Sequence, residues 1–215
     1  NSDLDFGTGD FSVMGWVKGA VYSATSNIVS RCSSDTTGFQ LYKDTTNATP
    51  CAIFRLGSTV LNGTTGITDQ WNHVVAFRNS GVAYIYKNGV LESSVAATAD
   101  VSGSFVTQVG WSTTSVLVAE LAGISLLRIS ATAPTAEQIA KIYNDEKLLF
   151  QENAQATLYG ASDAVTALAH DPDTDLLHVG TSAGRSVFYG LRRISNTTTA
   201  VTTAISAVDG LIAEQ

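Results

Sequence analysis

The feature that most constrains this chain is a succession of short apolar and aromatic segments, each closed by turn residues, with no helical spacing between them. Residues 11–18, 27–32, 38–43, 51–56, 71–78, 82–87, 105–110, 116–121 and 124–130 each read as a strand. Asp35-Thr-Thr-Gly38, Asn62-Gly63, Asn79-Ser-Gly81 and Asn88-Gly89 punctuate them as turns. Asn and Gly accept the positive φ that a tight hairpin needs, so Asn-Gly between such segments predicts a hairpin. Strands at this spacing without intervening helices predict an all-β antiparallel sandwich rather than an α/β fold.

The period then changes. Thr135-Ala-Glu-Gln138, following Pro134, has the form of a capping box, and Ile139, Ile142, Tyr143 and Leu149 sit at helical spacing. One closing helix is predicted over 135–150. After a linker-like 152–157, strands resume at 164–170, 176–181 and 185–194, with Asp171-Pro-Asp-Thr-Asp175 as a turn. Finally Val201, Ile205, Val208 and Ile212 step by four, three and four. That is the spacing of a helical seam, which would gain stability by packing against copies of itself as an oligomer interface. The expected layout is therefore a sandwich over 1–150 and a small β unit with a helical trimerisation segment over 151–215.

Composition narrows the partners. Charged residues are 14% of the 215 and hydrophobic residues 44%, which suits a packed core and argues against disorder. The formal net charge is −7, with basic residues grouped only at Lys141/Lys147 and Arg185/Arg192/Arg193, so nucleic acid is not an expected partner. No apolar run has the length of a membrane span, so membrane insertion is not expected either. Cys32 and Cys51 are too few for a disulfide scaffold or a zinc site, and their redox state stays open at this point.

Three motifs carry a family resemblance. Asp5-Phe-Gly-Thr-Gly-Asp-Phe-Ser-Val-Met-Gly-Trp-Val17 resembles the opening strand of laminin-G-like jelly rolls of the concanavalin A-like lectin/glucanase superfamily. Trp71-Asn-His-Val-Val-Ala-Phe-Arg78 with Tyr84-Ile-Tyr-Lys-Asn-Gly-Val90 is similar to that family's central hairpin. Leu121-Ala-Gly-Ile-Ser-Leu-Leu-Arg-Ile129 and Ala133-Pro-Thr-Ala-Glu-Gln-Ile-Ala-Lys-Ile-Tyr143 resemble its closing strand and helix. The resemblance implies a jelly-roll β-sandwich for residues 1–150. Two departures matter. Ser125 stands where the family often has an acid after Gly-Ile, so the resemblance carries no calcium site through that position. The clustered Glu-x-Asp-x-Glu acids of the glucanase branch are missing, since Glu92 and Glu120 stand isolated. Residues 164–184 resemble one blade of a β-propeller in a single copy, which needs neighbours to cover it. The pairing of a lectin-like head with such a unit resembles the distal part of a phage tail fibre or other virion fibre.

No catalytic residue is expected, since the chain carries no paired-acid string. Asp171, Asp173 and Asp175 lack the Gly and Glu that an EF-hand loop requires, and turn chemistry explains them. His73 is expected as a hydrogen-bonded structural residue. His170 and His178 are expected to neighbour one another across a hairpin. Sugar stacking needs an exposed aromatic beside amides or carboxylates. Trp111 is the first candidate for that role, and Tyr42 beside Asp44 the second. The expected function is a non-enzymatic binding module, extracellular or on a virion, without a cofactor. It would contact host-surface glycan or protein and self-associate, with a secreted bacterial glycan-binding module and a purely structural decoration protein as the rivals.

Overall fold

The computed structural model describes residues 2–20, 25–45, 50–112, 121–151, 158 and 164–215. These form two compact units, Asn1–Phe150 and Gln151–Gln215.

The first unit is a jelly-roll sandwich of two antiparallel sheets. One sheet has the order β10-β1-β6-β7-β8 and the other β5-β4-β3-β2-β9. The first contains β1 (Phe11–Gly19), β6 (Trp71–Asn79), β7 (Val82–Lys87), β8 (Val90–Ala96) and β10 (Leu121–Ser130). The second contains β2 (Ser26–Arg31), β3 (Phe39–Lys43), β4 (Cys51–Leu56), β5 (Thr59–Gly66) and β9 (Thr107–Val109). Alternation along each strand sends Phe11, Val13, Val17, Val74, Ala76 and Ile85 inward to meet Ile28, Phe39, Leu41, Phe54 and Leu61. Phe6, Phe11, Phe39 and Phe54 form one contiguous ring cluster in that core.

The hairpin chemistry of Asn88-Gly89 is realised: φ is +50° at Asn88 and +83° at Gly89, and the Asn88 side chain also accepts from the His73 backbone amide. Asn62-Gly63 is different. It lies inside β5, a strand the sequence pattern did not show, and the β4–β5 turn falls at Gly57 instead, with φ +56°. The segment expected at 116–121 falls mostly outside the described residues.

The helix α1 (Ala136–Glu146) begins at the expected capping box, with Gln138 and Thr135 each donating a backbone amide to the other's side chain. It ends earlier than predicted and continues as a short 3-10 turn, Lys147–Phe150. Ile139 and Ile142 press α1 onto the outer face of the first sheet, over Met14, Val75 and Phe77.

The second unit holds a sheet of order β11-β12-β13-β14, made of β11 (Val165–Asp171), β12 (Leu176–Thr181), β13 (Gly184–Tyr189) and β14 (Arg192–Thr197). The single strand expected at 185–194 is thus a hairpin turning at Gly190, where φ is +57°. The helical seam is also corrected. Residues 205–214 form a β-hairpin, β15 (Ile205–Val208) and β16 (Leu211–Glu214). The physical reason is Asp209-Gly210, whose positive φ values of +51° and +73° make a hairpin turn and break a helix. The Asp173 and Asp171 carboxylates accept from the Asp209 and Gly210 amides and fix that turn. Strand geometry breaks up the seam: Val201 is buried within the unit, Val208 lies on one face of the hairpin, and Ile205 and Ile212 lie on the other.

Candidate functional site

The sandwich brings the sugar-binding candidates to one end of the second sheet. Asn27 on β2 pairs with Tyr42 on β3, and Tyr42 with Ile53 on β4. On the other side of Asn27 stands Trp111, just beyond β9, after a Gly110 with φ +76° whose amide donates to the Ile28 carbonyl. The Asn27 amide nitrogen donates to the Trp111 carbonyl at 2.9 Å, to Gln108 O at 3.3 Å and to Ser30 Oγ at 3.3 Å. The backbone of Trp111 is therefore held while its indole stays 55% exposed. Asn27 itself is fully buried, and its Oδ1 has no hydrogen-bond partner among the described residues. Asn27 therefore acts from inside the sheet, holding the Trp111 backbone in place rather than facing solvent.

Tyr42 and Asp44 are placed beside this point but are buried, at 6% and 5% exposure, so neither offers a flat surface for stacking. Tyr42 Oη accepts from Arg55 Nη2 at 3.2 Å, and the guanidinium lies 5.8 Å from its ring centroid. Burial pushes the Tyr42 hydroxyl above its ordinary range, with Arg55 opposing. The Thr25 hydroxyl donates to Asp44 Oδ1 at 3.4 Å. The neighbouring row of the same face carries polar side chains on β2, β3 and β4: Gln40 donates to Asp35 and to the Cys32 sulfur, and Arg55 reaches the Asp35 carboxylate at 3.4 Å and its carbonyl at 3.0 Å. Sequence reading missed Asn27, Gln40 and Arg55. Each occupies an outward position on an alternating strand, where a polar residue is the default, so only the register reveals that they share one face.

Both cysteines are buried and neither forms a disulfide. Among the described residues no group of three or more His, Cys, Asp or Glu side chains is placed to hold a metal ion. Asp171 acts in a turn, its Oδ1 accepting from the Asp173 amide at 3.0 Å. His170 and His178 are on adjacent strands but on opposite faces, since His170 pairs with Leu177 and His178 with Ala169. His170 contacts Asp175 at the surface, and His178 is buried. His73 is buried as expected, yet neither ring nitrogen has a hydrogen-bond partner among the described residues, contrary to the expectation.

A concavity on this unit, of about 480 Å³, runs beside the start of α1 over Met14, Ala133, Pro134 and Ile142, with the Lys141–Asp145 ion pair on its rim. It lacks an exposed aromatic, and it is the lesser candidate.

With this geometry in view the family is plain. The sequence profile of the concanavalin A-like lectin/glucanases superfamily matches residues 1–140, and the chain belongs to that superfamily. Its fold is similar to that of a proposed carbohydrate binding protein from Bacteroides ovatus, at 14% identity and a TM-score of 0.53, covering 92% of this chain and 56% of that one. It is also similar to domain 4 of an extracellular arabinanase from Geobacillus stearothermophilus bound to arabinotriose, at 20% identity, TM-score 0.49, and 64% and 68% coverage. A third likeness is to the sialidase carbohydrate-binding module of Ruminococcus gnavus with α2,3-sialyllactose, at 12% identity, TM-score 0.49, and 64% and 84% coverage. No curated protein sequence matches the chain. No helix among the described residues is long and apolar enough to cross a membrane.

Proposed function

We propose that residues 1–150 form a non-enzymatic carbohydrate-binding module whose sugar stacks on Trp111 and hydrogen-bonds beside Asn27. The observation that carries this reading is the exposed indole of Trp111, anchored through its own carbonyl to the buried Asn27 amide. An apolar plate next to fixed polar groups is what recognition of a pyranose face demands. Membership of a lectin/glucanase superfamily supports it, and the missing acid string favours binding over hydrolysis. A glycan array with the native chain and Trp111→Ala tests it. Saccharide hits that vanish in the variant support the module; an array without hits overturns it.

The setting we propose is extracellular, with the module as the head of a self-associating virion-fibre or tail-associated protein in contact with host-surface glycan. The single blade-like sheet of the second unit supports this, because such a sheet exposes Leu168, Tyr189 and Ile194 when alone. A homotrimer is the assembly in view, although the helical seam that suggested it is a hairpin. Mass spectrometry of purified virions from the producing strain tests the setting: recovery of this chain supports it, and absence from particles overturns it.

A further inference from the structure

The sheet of the second unit has two open edges of opposite character. Among the described residues the backbone ladder of β11 pairs only with β12, and that of β14 only with β13. Residues 192–196 of β14 are exposed on both faces, and β11 exposes Val165 and Leu168 at 53% and 61%. The β15–β16 hairpin does not close the β11 edge by hydrogen bonding. β15 packs against β11 without joining its ladder, and Gly180, lacking a side chain, lets Val201 and Ile205 reach β12. An open strand edge is a template for another strand, and native proteins normally cover it.

The charges at these edges are complementary. In an antiparallel sheet the β11–β12 turn and the β13–β14 turn lie at the same end. On the β11 side that end exposes Asp173 and Asp175, joined by Asp209 from the last hairpin, while Asp171 is buried beneath them. On the β14 side it carries Arg192 and Arg193. β11 runs into this end and β14 runs out of it. Laying β14 of one molecule along β11 of another therefore makes an antiparallel pair, with Arg192 against the aspartates and Ile194 near Leu168. Pairing β11 with β11, or β14 with β14, brings no opposite charges together.

We propose that the second unit self-associates head to tail, β14 of one copy adding to β11 of the next. The occupant is a second copy of this chain, because the same sheet supplies both halves of the match. Each addition leaves one edge of each kind open, so growth stops only when a ring closes. The interface is independent of the glycan site, and either reading can fail without the other.

Sedimentation equilibrium of the full chain, with circular dichroism to verify folding, is the test. The native chain is expected as a closed oligomer. Arg192→Glu, at an exposed position, is expected to weaken association by roughly tenfold or more, and Asp175→Arg in the same chain to restore it. Ile194→Pro, which places a ring without an N–H in the exposed strand β14, is expected to give monomers. A native chain that stays monomeric at every concentration overturns the proposal, as does an oligomer whose dissociation constant neither Arg192→Glu nor Ile194→Pro changes.

Discussion

The Trp16 indole Nε1 donates to Glu146 Oε2 at 2.8 Å, joining two residues 130 positions apart and fastening the end of α1 to the first strand of the sandwich. Arg128 on β10 pairs with the other carboxylate oxygen. Burial acts most strongly on this carboxyl and pushes its pKa upward, yet the hydrogen bonds from Arg128 and Trp16, with the Arg128 charge, together hold it below the ordinary range. Glu146→Ala leaves the Trp16 N–H and the guanidinium without their acceptor and should cost about 1–3 kcal/mol. Glu146→Gln keeps an acceptor for Trp16 and should cost less. Urea midpoints of the two variants check the order.

His73 lies under the same helix, its ring 5.2 Å from Trp16 and 6.3 Å from Tyr143 between centroids. Burial, helped by the Arg128 charge and opposed by Glu146, lowers its pKa to about 4. The folded state thus holds neutral imidazole more strongly than the unfolded chain, whose His titrates near 6.5. Between these values the unfolded state binds more protons, so stability is full above pH 6.5 and falls as pH drops toward 4. The loss approaches about 3 kcal/mol. Denaturant unfolding of the native chain and of His73→Phe at neutral pH and near pH 4.5 tests this. The variant should lose the His73 share of the slope, and an unchanged pH dependence would rule the assignment out.

Much of the sandwich was legible because its strands alternate cleanly and its best turns carry Asn-Gly or Ser-Gly. The capped helix was legible from Thr135 and Gln138 alone. What misled was spacing without punctuation. Val201, Ile205, Val208 and Ile212 fit a helical period, but Asp209-Gly210 between them is a hairpin signal of the kind that correctly placed Asn88-Gly89. β5 escaped because Thr59–Gly66 is polar and half-exposed, with no hydrophobic alternation to read. At the site, Trp111 was legible as an aromatic after a strand. Asn27 was not, because only the register of β2 against β3 and β9 reveals that it lies beneath Trp111 and beside Tyr42.

Arg78 shows another kind of hidden role. It is fully buried, and its guanidinium donates to the carbonyls of Gly7, Gly9 and Ala99 at 2.6–2.9 Å while lying 5.4 Å from the Phe11 ring centroid. One planar fork ties the entry to β1 to the segment after β8. A lysine ammonium is a compact donor that cannot span all three carbonyls. Arg78→Lys should therefore lower stability by about 2–4 kcal/mol through unpaired buried groups. Thermal and urea unfolding measure it; a variant as stable as the native chain would show that the fork is dispensable.

Trp111 separates recognition from folding. Its indole is exposed, so truncation removes little buried surface, and Trp111→Ala should change stability by less than about 1 kcal/mol. An aromatic plate against a sugar contributes on the order of 1–2 kcal/mol, so affinity for a saccharide hit should fall by roughly tenfold or more. Asn27 should behave in the opposite way. Its amide holds the Trp111, Gln108 and Ser30 contacts from a buried position, so Asn27→Ala should weaken both binding and stability. Trp111→Phe, which keeps a smaller plate, should retain part of the affinity. Calorimetric titration of the three variants alongside their melting curves distinguishes the roles. If Trp111→Ala binds the saccharide as the native chain does, the stacking surface lies elsewhere on the sandwich.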